Sequence, residues 1–341
     1  MPFNIFTLST HELLILFFFC VMGFSVLAYV LLDGYDLGVG ILLPLAQTEE
    51  QNLMLSSIGP FWDANETWLV LGVGILLVAF PLAHGTILTA LYVPVFIMLV
   101  CLVIRGCAFD FRLKSKHKTF WTKMFFAGSL GAAASQGFIL GWWIIGFSNT
   151  FLAYLFAALI SICVPASYAL LGCGWLLMKM PATIKKQVIV WAKKSLSFTL
   201  LGIVLVSIAT PFISPRVFSL WFSFPNIIYL SIVPLMTGAL FFFIRKNLIH
   251  LQHQIETDKI ISYLWSPFLM TVGIFILSFL GLGYSTFPFL VLDKITIWQG
   301  ASSEDALYLI FWGVIVVVPT IVAYTILSYK IFFGEASHLE Y

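Results

Sequence analysis

Nine times along this chain, apolar residues run on almost unbroken for about the twenty positions a helix needs to cross the hydrocarbon of a bilayer. The runs fall near 11–32, 67–83, 86–107, 121–147, 151–178, 196–214, 225–244, 262–284 and 307–332, with ends set only to within a few residues. Charged residues make up 9% of the chain, against about 25% in an ordinary soluble domain. Such a chain cannot cover a water-facing surface. An outer-membrane barrel is excluded as well, because barrel strands alternate apolar and polar residues. The expected fold is therefore all-α: a polytopic membrane protein with about nine transmembrane helices, forming a single integral membrane domain over residues 1–341. The second run is short, and His84-Gly85 behind it reads as a tight hairpin into the third. No internal repeat, low-complexity stretch or loop long enough for a soluble domain interrupts the pattern.

Basic residues set the orientation. Numbered by the helix they follow, loop 3 holds Arg105, Arg112, Lys114, Lys116 and Lys118, with Lys123 just beyond. Loop 5 holds Lys179, Lys185, Lys186, Lys193 and Lys194, loop 7 holds Arg245, Lys246 and Lys259, and Lys330 closes the last helix. Only Arg216 and Lys294 lie on the even loops, so 15 of the 17 basic residues share one side. The positive-inside rule then predicts the N-terminus outside and the C-terminus in the cytoplasm. A cleavable signal peptide is not expected, because its n-region must be positive and the first Lys or Arg here is Arg105. The net charge of +2 gives no reason to expect nucleic acid. Loop 1, about residues 33–66, breaks the charge pattern: it has Asp33, Asp36, Glu49, Glu50, Asp63 and Glu66 and no base. Within it, Glu49 to Ile58 mixes Leu53, Met54, Leu55 and Ile58 with polar residues, which suits a short helix lying on the membrane surface.

The five cysteines (Cys20, Cys101, Cys107, Cys163, Cys173) form no metal-spaced pair and read as small apolar filler. Haem needs axial His, Met or Cys ligands. Of the six histidines (His11, His84, His117, His250, His253, His338), only His84 sits close to a helix body, and nothing marks out a Met. No phosphate-cradling, dinucleotide or zinc motif is present. What remains is carboxylates near one face. Asp33-Gly34-Tyr35-Asp36 ends the first run; if the helix continues, Asp33 and Asp36 share a face at i,i+3. They read either as proton-carrying acids at membrane depth or as solvated acids at a helix end. Trp62-Asp63-Ala64-Asn65-Glu66-Thr67-Trp68 enters the second run, again with two acids at i,i+3. Acids in a first turn also simply cap, but the flanking Trp62, Asn65 and Trp68 favour a functional Asp63 over Glu66. In Arg105-Gly106-Cys107-Ala108-Phe109-Asp110-Phe111-Arg112, the arginines read first as snorkelling topology anchors, with Asp110 paired to one of them at the surface.

Together these three stretches resemble subunit II of the cytochrome bd-type quinol oxidases. The match is most specific in the first 112 residues and extends, more generically, over the whole chain; Phe287-Pro288-Phe289 and Ile297-Trp298 also look like that family. The resemblance implies two four-helix bundles plus a peripheral helix in a bacterial inner membrane. It implies a haem-free subunit paired with a haem-bearing subunit I (haems b and d) in a complex that oxidises quinol and reduces dioxygen to water. It leaves room for a bound quinone in an apolar cleft and for small accessory membrane subunits. By position, Asp63 is the family's Trp-Asp acid, Asp36 the acid of its Asp-Gly-aromatic-Asp motif, and Asp110 that of its Phe-Asp-aromatic-Arg motif. The reading adopted is a supporting subunit whose Asp63, Asp36, Asp110, Glu66 and Asp33 are candidates for delivering protons from the cytoplasm. Trp62, Asn65 and Trp68 would shape that route and Arg105 would tune its charge. One departure is Gln299, where the family often has an acid. The rival readings are a proton-coupled secondary transporter, which would place its acids near the midplane in matched halves, and a scaffold without a proton role.

Overall fold

A computed structural model describes residues 8–257 and 263–336; Lys259 and His338 lie outside the described residues. Nine described helices are long and apolar enough to span a membrane, one for each apolar run. The first, α1 (Thr10–Leu42), starts at a capping box in which the Ser9 hydroxyl accepts from the Glu12 amide and the Glu12 carboxylate accepts from the Ser9 amide. It runs for 33 residues, about 50 Å, well beyond the roughly 30 Å of hydrocarbon it must cross. Helix α2 (Thr48–Ile58) follows, with Glu49 and Glu50 in its first turn and Met54, Leu55 and Ile58 buried. The expected short amphipathic helix is therefore present. The remaining spans are α3 (Trp62–Ala79), α4 (Pro81–Lys114), α5 (Lys118–Ile144), α6 (Phe151–Lys179), α7 (Ala182–Ile213), α9 (Asn226–Glu256), α10 (Ser266–Thr286) and α12 (Glu304–Ile331). A short α8 (Pro215–Phe222) links α7 to α9.

Helices α1, α3, α4 and α5 pack as one bundle and α6, α7, α9 and α10 as a second. The two meet along α6, which lies against both α1 and α5. Helix α12 packs mainly on α1 and α3 and is the least buried of the described spans, the peripheral ninth helix. The α1–α6 seam is tight because glycine faces glycine: a Cβ on Gly38 would run into the carbonyl of Tyr168, and one on Gly172 into the backbone of Gly38. In lipid, where apolar burial drives no association, such backbone approach is what holds helices together.

At the end where α1 starts, a hairpin of β1 (Phe289–Val291) and β2 (Ile295–Thr296) leads into one turn, α11 (Ile297–Gly300). Gln299 sits there as a cap: its side chain accepts from the Thr296 amide at 3.0 Å. Leu290, Val291 and Ile297 pack beneath it on Leu14, Ile15, Phe18 and Phe80. The basic residues gather at the opposite end.

Two expectations need correction. The turn between the second and third spans falls at Phe80–Pro81, and His84 and Gly85 lie inside α4; Pro81 opens that helix because its missing N–H costs nothing at the first position. And Asp33 and Asp36 do not stand in a loop, since α1 carries them past the end of the apolar run.

Candidate functional site

Four elements converge at the basic end. Helix α1 brings Asp33 and Asp36, which are 0% and 1% exposed. Helix α3 brings Asn65 and Glu66, α4 brings Arg105, and α12 brings Tyr329. Arg105, itself 1% exposed, bridges two carboxylates: its Nη1 lies 2.7 Å from Asp33 Oδ1 and its Nη2 lies 2.7 Å from Glu66 Oε1. The Trp62 ring covers the guanidinium at 5.8 Å. Glu66 keeps 29% of its side chain exposed, so the pair runs from the surface inward.

Asp36 has different company. Asn65 Nδ2 donates to Asp36 Oδ2 at 2.8 Å and also reaches the Tyr35 hydroxyl at 3.0 Å. Tyr329 donates back to Asn65 Oδ1 at 3.3 Å, and the Tyr35 and Tyr329 hydroxyls meet at 2.5 Å. The other oxygen of Asp36, Oδ1, is buried without a partner. Around the hydroxyl pair, Tyr329 stacks on Phe61 (4.5 Å) and Tyr35 on Trp175 (4.3 Å). Lys179 caps this aromatic wall, 5.2 Å from the Trp175 ring, and donates to the Phe332 carbonyl at 2.6 Å. The segment after α12 is fastened to the same corner by the Lys185–Glu335 ion pair at 2.9 Å.

The candidate acids thus separate. Asp33 and Glu66 pair with one guanidinium, and Asp36, one turn along α1 from Asp33, is held by Asn65. Asp63 and Asp110 are exposed and stand outside the cluster. Asp63 and Glu66 share the first turns of α3, yet only Glu66 turns inward, drawn by Arg105. The expectation that Asp110 pairs with an arginine fails because both arginines are taken: Arg105 by Asp33 and Glu66, and Arg112 by Thr122, Asn52 and Gln51. Nor does Arg105 snorkel, since it is wholly enclosed. Trp68 is buried edge-on to Phe24, 5.5 Å away.

The sequence reading missed the hydroxyls. Tyr35 stands between the two acids of its motif, which is itself a signal. Gln136, a lone amide in a run of small residues, was a second. Tyr29, Tyr168 and Tyr329 carry no local mark, because α1, α6 and α12 place them here only on folding.

A helical bundle pair that sets two buried carboxyls and a partly exposed third about one enclosed arginine at its basic end defines a polytopic membrane protein with a charged internal site. The family model described as cytochrome bd terminal oxidase subunit II matches residues 14–332, and the chain belongs to that family. The cytochrome bd ubiquinol oxidase subunit 2 of Bacillus subtilis (strain 168) is 39% identical over 127 residues, 36% of this chain and 36% of that one. The cytochrome bd-I ubiquinol oxidase subunit 2 of Escherichia coli (strain K12) is 30% identical over 124 residues, 35% of this chain and 33% of that one. The aligned stretch spans about a third of the length of these curated relatives. A chain in the structure of the bd oxidase from Geobacillus thermodenitrificans shares the fold, with a TM-score of 0.67 over 94% of this chain and 99% of that one at 10% identity.

Proposed function

We propose that this chain is the haem-free second subunit of a quinol-oxidising terminal oxidase in a bacterial inner membrane. It pairs with a haem-bearing subunit I and conducts protons from the cytoplasm toward the site of dioxygen reduction. The observation that carries the reading is the buried cluster of Asp33, Asp36 and Glu66 around Arg105. Three acids against one guanidinium leave positions where protons can come and go, and ionisable groups at this depth usually mark proton routes. The cluster sits at the basic end, which the positive-inside rule assigns to the cytoplasm. Partly exposed Glu66 and exposed Asp63 lie on its outer side, where they would collect protons, and exposed Asp110 would serve at the same face.

The haems b and d belong, on this reading, to the partner. The described histidines do not fit haem ligation. His117, His250 and His253 are exposed at helix ends, and His11 and His84 lie in first turns at the opposite face, His11 bonded to the Ser302 carbonyl at 3.1 Å. A lipid-like quinone and small accessory subunits remain compatible with its long lipid-facing surfaces. The family does not favour the transporter reading. Nor does the placement of the acids, which all come from one bundle and lie at one face.

The test is Asp36→Asn in the intact complex. Turnover should fall at least about tenfold while the reduced-minus-oxidised haem spectrum is unchanged, since proton transfer by a positioned side chain is worth about 10²–10⁴ in rate. Full turnover in that variant would leave the chain a scaffold.

A further inference from the structure

The end of the molecule opposite the basic one carries two bases, Arg216 and Lys294, on the side where the positive-inside rule disfavours them. Both lie at the β1–β2 hairpin. Its turn, closed by the Lys294 amide on the Val291 carbonyl at 2.9 Å, gives two neighbouring side chains different partners. Asp293 meets Arg216 at 3.5 Å, and Arg216 also lies over the Phe289 ring, 4.6 Å from its centre. Lys294 enters no ion pair among the described residues. Its ammonium donates to the Gly146 carbonyl at 2.8 Å, and an ammonium has two further hydrogens to give.

Lys294 borders an open cavity of about 660 Å³ lined also by Thr86, Thr89, Trp142, Phe147 and Asn149. The way α5 ends builds its aromatic wall. The Gly146 amide donates to the Trp143 carbonyl at 3.0 Å and the Phe147 amide to the Trp142 carbonyl at 3.1 Å, the paired bonds of a helix stop that turns on a left-handed residue. Gly146 supplies that residue at φ +62°, and a Cβ there would lie 2.8 Å from the Leu292 carbonyl oxygen. Phe147 follows at φ +59°, a costly conformation for a bulky side chain, and its ring meets Trp142 edge-on at 6.1 Å. The other groups are polar. Asn149 Oδ1 accepts from the Tyr154 hydroxyl at 3.1 Å, which leaves the Nδ2 hydrogens to give. Thr86 and Thr89 donate to the Leu82 and Gly85 carbonyls of their own helix, so their oxygens are left as acceptors. The cavity thus sets a cation and an amide donor beside two hydroxyl acceptors.

Along α4, Val93, Phe96 and Val100 fall beneath Thr86 and Thr89 at helical spacing, and all three are exposed. A free phosphate has no use for that stripe, and a neutral lipid has none for the lysine. We propose that the cavity binds the phosphodiester headgroup of a phospholipid of the outer leaflet. Lys294 and Asn149 hold the phosphate, and Thr86 and Thr89 accept from the hydroxyl or ammonium hydrogens of the headgroup. The acyl chains lie along Val93, Phe96 and Val100. This site stands apart from the Arg105 cluster, at the other end of the molecule, and is independent of the proton route.

Native mass spectrometry of the purified two-subunit complex checks the assignment. The complex is stripped of lipid in detergent and titrated separately with phosphatidylglycerol, inorganic phosphate and a diacylglycerol of the same chains. Membrane complexes hold several lipids, so the readout is the bound phosphatidylglycerol that the parent keeps and the variants lose. Lys294→Gln should weaken that binding at least about tenfold, as expected for the loss of a charge-assisted hydrogen bond, and Lys294→Arg should retain most of it. Asn149→Asp, at an exposed position, sets a carboxylate against the phosphate and should also weaken binding; it decides the matter if Lys294→Gln does not assemble. Equal binding by the parent, Lys294→Gln and Asn149→Asp overturns the site, and so does a parent complex that takes up no phosphatidylglycerol. Diacylglycerol binding as tightly as phosphatidylglycerol, or inorganic phosphate displacing it at equal concentration, overturns the phospholipid as the ligand. A quinone that stays with the parent through purification and is lost in Lys294→Gln overturns it as well.

Discussion

Arg105 and Arg112 stand two turns apart on α4, both enclosed, at 1% and 0% exposed; one is ringed by carboxylates and the other by neutral oxygens. Arg105 contacts Asp33 and Glu66. Arg112 donates to Thr122 Oγ1 at 2.9 Å, Asn52 Oδ1 at 2.8 Å and Gln51 Oε1 at 3.1 Å. The second arrangement suffices for a buried cation because Arg112 lies in the last turn of its helix, where the backbone carbonyls favour positive charge. It ties α2, α4 and α5 together and holds nothing that can trade a proton. The Arg105 region has three ionisable oxygen acids around its cation. The same residue type on the same helix thus builds a clamp in one place and a charged site in the other, and the partners decide which.

That contrast is most directly broken by removing each cation in turn. Arg105→Leu leaves Asp33 buried without its counter-charge and should cost about 3–5 kcal/mol, the usual penalty for stranding one half of a buried pair. Little assembled complex should be recovered, and its thermal midpoint should drop. Arg105→Lys should recover only part of this, since a point charge cannot span two carboxylates as a guanidinium does. If Arg105→Leu were no worse than the matching change at Arg112, the distinction drawn between the two regions would fail.

Arg112→Leu should cost less, about 1–3 kcal/mol, because it strands neutral acceptors and not a charge. Thr122 still donates to Gln51 at 3.1 Å, which keeps one link between α5 and α2. Thermal unfolding of the complex should register the loss, while turnover per assembled complex should stay within about twofold of the parent. A turnover loss matching that of Asp36→Asn would mean that Arg112 belongs to the proton route.

The same two regions show what was readable beforehand. All nine spans were visible, because a lipid-crossing helix must be apolar for its whole passage. The extension of α1 to Leu42 was not, because a helix end inside protein needs no apolar residue, only backbone bonds and close neighbours such as Gly38 against Gly172. The motif acids Asp33, Asp36 and Glu66 were named, and so was Asn65, but their sorting was not. Asp63 ranked first by its aromatic flanks, yet it faces outward, while Glu66 turns in to meet a guanidinium 39 residues away. Arginines at a helix end near the membrane surface ordinarily snorkel. Only the three-dimensional placement of Asp33, Gln51 and Asn52 reveals that neither of these does. The tyrosines from α6 and α12 had no local signature at all.

The finest test concerns the last of these. Tyr329 is the one contribution of the peripheral helix to the site, through its hydroxyl on Tyr35 and Asn65 and its ring on Phe61. Tyr329→Phe removes the hydroxyl and keeps the stacking, so stability should fall by only about 0.5–1.5 kcal/mol, the net worth of a hydrogen bond. Asn65 Nδ2 would still hold Asp36 at 2.8 Å, so turnover should fall by less than about tenfold. Tyr329→Ala, which also opens the wall between Phe61 and Trp175, should cost more in both measurements, by about 3–5 kcal/mol in stability, as expected for truncating a large buried ring. Equal effects from the two variants would assign the whole contribution of α12 to its hydroxyl. A Phe variant indistinguishable from the parent would confine α12 to packing, and would leave the Arg105 region complete within the first bundle.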